Sequence, residues 1–284
     1  MAVLLTSSVV LGQSAEANAG DASASIRDFD PGSSALSLRA LPRQREVTAG
    51  ALVFNNLEEA AFAEAGSRQL EQTFDTAHRT KSDKGFTSYY GATSVYWAPT
   101  ERFQVGFTFA ELSYESGDER EGLRYEGTGA QVLYSLVNPE AAPVGVAVFS
   151  RIVVNERGLS NDSRLALQVL RGPWNIAYNL RLGTDFEGFD GGSKETTGTL
   201  GHSVGVAHLW EIQGTISELS VGGEVLVDST YAEWKNYQET TVYGGPTVGI
   251  VIGERWSVTV TGTVQLTDQD APRFGTQVTV GWVF

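Results

Sequence analysis

The chain has 284 residues, a formal net charge of −14, 41% hydrophobic and 19% charged residues, and no cysteine. Its apolar content is too high for a disordered chain, and its acidic balance excludes nucleic-acid binding, which needs clustered Lys and Arg. The missing thiols exclude disulfides, thiolate metal sites and cysteine nucleophiles.

The N-terminus opens with "AVLLTSSVVLG", apolar but too short to cross a bilayer as a helix. "QSAEANAG" follows, and Ala17-Asn18-Ala19 fits a small-residue cleavage site before Gly20. Residues 1–19 therefore read as a signal peptide, although the usual basic lead is missing. Residues 20–67 are rich in Ser, Ala and Asp and read as an N-terminal arm or linker, a candidate plug. Within it, "NNLEEAAFAEAGSR" predicts a short helix with Asn56 as cap and Gly66 as stop.

From Arg68 the pattern changes to extended segments in which apolar residues alternate with small or polar ones. Phe103, Val105, Phe107 and Phe109 alternate with Gln104, Gly106 and Thr108. Trp174, Ile176, Tyr178, Leu180 and Leu182 alternate with Asn175, Ala177, Asn179, Arg181 and Gly183. The same pattern predicts about twelve strands, near 68–78, 86–97, 102–114, 123–137, 143–154, 162–171, 174–187, 199–211, 215–228, 240–252, 255–268 and 273–284. Short connections such as "PTE", "GP" and "GE" alternate with longer charged ones such as "RTKSDKG", "NERGLSN" and "TYAEWKNYQE". Short turns at one end and long loops at the other form the outer-membrane pattern.

The polar positions decide which medium lies outside. They carry Thr108, Gln131, Gly145, Gln168, Asn175, Asn179, Gly205, Gly222 and Thr261, with few lysines. A solvated strand face favours long charged side chains, whereas small neutral ones suit a crowded lumen. Trp97, Phe103, Tyr134, Trp174, Trp210, Trp256, Trp282 and Phe284 fall near short turns; Tyr114, Tyr125, Phe186, Tyr231, Tyr243 and Phe274 fall near long ones. Two such girdles predict an all-β, closed antiparallel transmembrane barrel over residues 68–284, with its apolar face against lipid.

The chain ends in "VTVGWVF", where Val278, Val280, Trp282 and Phe284 alternate up to a terminal phenylalanine. This resembles the C-terminal signal of Gram-negative outer-membrane proteins, which implies an outer-membrane location and the barrel-assembly machinery as a partner. "YYGATSVYWAPTERFQVGFTF" and "YSLVNPEAAPVGVAVFSRI" resemble the strand–turn–strand units of an outer-membrane transporter group related to the phenol meta-pathway family. That resemblance covers roughly residues 68–284, rests on pattern and turns, and implies small hydrophobic or aromatic solutes.

Strand parity puts Arg151, Arg164 and Arg181 on the lumenal face of three consecutive strands. Glu218, Glu224 and Asp228 share that face on a later strand, and Glu71 and Glu126 join them. Inward placement is expected, because Arg or Lys facing lipid at mid-depth costs about 2–4 kcal/mol. A basic wall opposite an acidic one would orient polar solutes in a pore; the alternative is that these charges pair and hold a closed lumen together. No catalytic machinery is expected: His202 and Ser203 are adjacent in one strand and so face opposite ways. Asp185, Glu187 and Asp190 miss the spacing of a calcium loop, and neither metal nor cofactor is expected. The expected function is passive passage of small solutes, with a closed anchor or surface receptor, or a soluble exported ligand-binding barrel, as alternatives.

Overall fold

The computed structural model describes residues 53–60, 63–117, 121–189, 195–253 and 255–284. The proposed leader, 1–19, and most of the arm, 20–52, lie outside the described residues. Twelve strands follow in order: β1 (Arg68–His78), β2 (Thr87–Thr100), β3 (Phe103–Ser116), β4 (Glu121–Val137), β5 (Gly145–Val154) and β6 (Gly158–Arg171). The second half is β7 (Trp174–Glu187), β8 (Glu195–Glu211), β9 (Ile216–Ala232), β10 (Asn236–Ile252), β11 (Trp256–Gln265) and β12 (Phe274–Val283). Each pairs antiparallel with its neighbours, and the ring closes where β1 meets β12, from Gln69 opposite Val283 to His78 opposite Phe274. Closure leaves no unpaired edge, the condition for placing a sheet in hydrocarbon.

The alternation seen in the sequence becomes two surfaces. Ala147, Ala166, Ala177, Asn175, Asn179 and Thr261 are fully buried inside, while Phe107, Val148, Ile176, Val204 and Val260 are exposed outside. This is the reverse of a water-soluble barrel, whose apolar face turns inward. Several polar side chains on the outer wall satisfy one another, which limits the cost of placing them away from water. Thr93 donates to Gln72 Oε1 (2.6 Å), Ser150 and Ser163 pair at 3.1 Å, and Tyr178 Oη meets His202 Nδ1 at 2.8 Å.

Around the short-turn end the rings of the aromatic girdle touch one another in stacked, tilted and T-shaped pairs. Trp256 stacks on Trp282 at 5.7 Å, Trp282 meets Phe284 at 4.9 Å, and His208 sits between Trp174 (4.8 Å) and Trp210 (4.2 Å). Tyr243 departs from the expected outer girdle. It shares the inward parity of Thr247 and lies opposite Leu226 and Gln265, both on the lumenal side.

Two connections expected to be long loops are tight turns, residues 155–157 and 233–235. Strands β8, β9 and β10 run for 17 residues, beyond the roughly ten that cross a bilayer. Above the membrane both faces meet water, so the alternation fades although the strand continues.

The expected helix within 55–68 is absent: the described residues of that stretch are irregular until β1 begins. Residues 53–60 instead form a strap inside the barrel. Their backbone groups bond to lumenal side chains, and these tertiary bonds replace the i to i−4 ladder a helix would need. Gly66 makes a turn rather than a helix stop: its φ is +87° and the Ser67 N–H returns to the Glu64 carbonyl. The strap is tied to the short-turn rim, where Ala63 N–H donates to Glu101 O and Gly66 N–H to Ala98 O.

Candidate functional site: the lumen and its strap

The strap seats its apolar residues on the smallest part of the wall. Val53, Phe54 and Leu57 pack on Ala177, Ala207 and Leu209, and Ala60 packs on Ala147 and Ala166. Gly205 on β8 makes room for Phe54, since a Cβ there would stand 2.6 Å from the ring. Polar contacts fix the register. The Glu224 carboxylate accepts from Asn55 N–H (3.0 Å), Asn56 N–H (3.2 Å), Asn56 Nδ2 (3.0 Å) and Thr261 Oγ1 (3.1 Å). Two strands along the wall, on β7, Asn179 holds the Glu58 peptide, and Gln168 on β6 donates to Glu59 Oε2 (3.0 Å). Asn55 Nδ2 reaches Thr259 O, Thr261 Oγ1 and Gln277 O at 3.1–3.3 Å, so the strap touches β6–β9 and also β11 and β12.

Beside the strap lies a cavity of about 440 Å³, the size of a small-molecule pocket. Arg151, Arg164, Arg181 and Asp228 line it, together with Glu58, Glu71 and Asp75. The arginines are not a free basic wall facing an acidic one; they are paired, the second of the two arrangements expected from the sequence. Arg151 pairs with Glu111 on β3. Arg164 forms a two-point contact with Asp162 (2.8 and 3.2 Å) and lies 3.7 Å from Glu58 of the strap. Arg181 joins Asp162 (3.1 Å) to Asp228 (3.4 Å). Gly201 on the intervening β8 allows that last pair to meet, because a Cβ there would sit 2.3 Å from Asp228 Oδ1. Interleaving is what desolvation demands, since a partly buried guanidinium is stable only with a carboxylate beside it.

Two further lumenal acids lie on β1, across the barrel from Arg164 and Arg181. Glu71 accepts from Tyr96 Oη (3.1 Å), and Asp75 leaves one buried oxygen without a hydrogen bond. Among the described residues neither is ion-paired, and the six carboxyl groups of Glu58, Glu59, Glu71, Asp75, Asp162 and Asp228 outnumber the three arginines along the cavity. Glu224 lies at the strap's binding site rather than along an acidic wall. Glu218 has the same inward parity but sits near the short-turn end, opposite Glu211 and Val251. Glu126 also faces inward and accepts from Ser113.

Glu111 and Asp162 were not anticipated. A bulge between Thr108 and Glu111 shifts the parity of β3, so simple alternation points Glu111 at lipid. Asp162 was legible, two residues before Arg164 and therefore on its face. His202 points outward and Ser203 inward, as strand parity requires. Among the described residues no group of three or more His, Asp or Glu could hold a metal; Asp190 lies outside them.

No protein-family model matches the chain, and no curated protein matches it. Among solved structures it resembles an outer-membrane channel from Pseudomonas putida F1, with a TM-score of 0.58 and 10% identity, covering 81% of this chain and 100% of that one. It also resembles the β domain of the Bordetella autotransporter Brka, with a TM-score of 0.52 and 8% identity, covering 77% and 100%. At such identities the likeness speaks for the fold, which is that of a bacterial outer-membrane β-barrel.

Proposed function

We propose that this barrel is an outer-membrane channel for small hydrophilic solutes that passes cations more readily than anions. The observation that carries the reading is the cavity: a charged, polar space inside a ring whose outer wall is apolar. Such a wall meets lipid, so the interior is the wet route. Its three arginines are matched by carboxylates, and Glu71 and Asp75 add further carboxyl groups that attract cations when ionised. The resemblance to the phenol meta-pathway group implies hydrophobic or aromatic solutes instead; the polar lining supports hydrophilic ones.

Residues 1–19 direct export in this reading. Val278, Val280, Trp282 and Phe284 present the apolar face read by the barrel-assembly machinery. Conductance of the purified protein in planar bilayers tests the proposal. Under a salt gradient the reversal potential should report cation preference. A barrel that stays silent with and without its strap is an anchor or receptor, the second reading, which the lumen-crossing strap favours. The exposed apolar wall argues against a soluble ligand-binding barrel.

A further inference from the structure

We propose that residues 53–60 are a tethered blocker, and that the lumen holds a dedicated peptide site for them with Glu224 and Asn179 as its two clamps. The proposal rests on the channel reading, since a blocker needs a current to block.

Three observations converge on a built site. The first is the readout of backbone. Two consecutive strap N–H groups end on one carboxylate, and a third N–H and its own carbonyl end on one side-chain amide. Side chains placed in this way read the backbone of one bent peptide conformation, because neighbouring N–H groups meet on one carboxylate only where the chain turns. The second is Glu224 itself, 1% exposed and, among the described residues, without a cationic partner. Among the described residues its donors are the strap and Thr261, so the carboxylate is satisfied either by the strap or by water that enters when the strap leaves. The third is shape: Gly205 is cut away where Phe54 lies, and Ala177 and Ala207 form a flat bed beneath it.

The position makes this peptide an obstruction. Its contacts run from β6 through β7 and β9 to β11 and β12, which brings it from one side of the ring to the facing side and narrows the lumen to the cavity beside it. The contacts are hydrogen bonds, one ion pair between Glu58 and Arg164 and a modest apolar patch, and the tether leaves at the short-turn rim through Ala63 and Gly66. Such a segment releases without unfolding the ring, whose own ladder it does not join.

The test uses the full chain, a barrel lacking residues 53–60, and the synthetic octapeptide Val-Phe-Asn-Asn-Leu-Glu-Glu-Ala. Heat-modifiable migration first establishes that each barrel is folded. The shortened barrel should conduct more than the full chain. The octapeptide added at the short-turn side should restore block, and a version with alanine at both asparagines should not. In the full chain, Glu224→Gln removes one carboxylate oxygen and should raise conductance. A shortened barrel that conducts no better than the full chain, or a peptide without effect on it, overturns the blocker while leaving a channel. Absence of current from both barrels overturns the channel reading and the blocker with it.

Discussion

Asn179 holds Glu58 as a neighbouring strand would, accepting its N–H at 2.7 Å and donating to its carbonyl at 2.9 Å. One side-chain amide carries both the acceptor and the donor needed for this double contact. Asn179→Ala deletes both bonds, whereas Asn179→Asp keeps an acceptor but sets a carboxylate against the Glu58 carbonyl. With a net value of about 0.5–1.5 kcal/mol per bond, strap occupancy should fall about 2- to 10-fold for each bond lost. The chain has no cysteine, so thiol labelling of a Phe54→Cys variant reads occupancy directly. Labelling should accelerate in both variants while the barrel stays folded.

Phe54 and Gly205 form a second, purely steric pair. Gly205→Ala puts a methyl 2.6 Å from the ring and should displace the strap, although alanine suits a strand better than glycine. Phe54→Ala removes the obstacle, so the double variant should hold the strap more firmly than Gly205→Ala alone. Protease protection of the strap would show this coupling; simple additivity would mean that the two do not touch.

Selectivity follows from the charge ladder. Arg181→Ala leaves Asp162 with Arg164 alone and strips Asp228 of its ion pair, so cation preference should rise. Asp228→Asn should lower it. Arg164→Ala should raise it too, and should also loosen the strap at Glu58. Reversal potentials under a salt gradient measure all three, and identical values would place these residues off the ion path.

The loops at the long-loop end carry a separate, pH-dependent junction. Asp268 accepts from Lys81 (2.9 Å) and Arg273 (2.7 Å), and Asp270 accepts from the Ser82 N–H (2.9 Å). The hydrogen bond from Lys81, then that from Arg273, holds the Asp268 carboxyl below its usual range; the Ser82 donors do the same for Asp270. Depressed carboxyl groups stabilise the folded junction above their unfolded pKa of about 3.9, and that stabilisation is lost as pH falls through the lower folded values. Hydrogen exchange at the Ser82 amide should therefore be steady from pH 7 to about 4, once corrected for intrinsic rates, and lose protection below that. High salt should weaken the exposed Lys81 contact at neutral pH.

Much of the ring was legible because one physical signal repeats in it. Strict alternation marked β7, the expected bounds of β1 and β7 match the observed ones, and the girdle from Trp97 to Phe284 followed from aromatics beside short turns. The signal failed where its cause failed. Above the bilayer both faces of β9 and β10 are wet, so "YAEWKNYQE" looks like a loop. At the β3 bulge, parity slips and hides Glu111. Tyr243 has girdle composition but lumenal parity. The strap was misread as a helix because "NNLEEAAF" has helix-forming residues, while its partners Glu224, Asn179 and Gln168 lie more than a hundred residues away. Local propensity carries no trace of such contacts.

The central claim is the orientation of the wall, lipid outside and water within. All six tryptophans sit on the outer surface, five at the short-turn girdle and Trp234 folded over Gly198 at the other end. Intrinsic fluorescence therefore reports the outer medium. In vesicles with brominated acyl chains the folded protein should be quenched strongly, and far less by aqueous iodide. Insensitivity to brominated lipid, in a protein monodisperse in plain buffer with protected tryptophans, would contradict it.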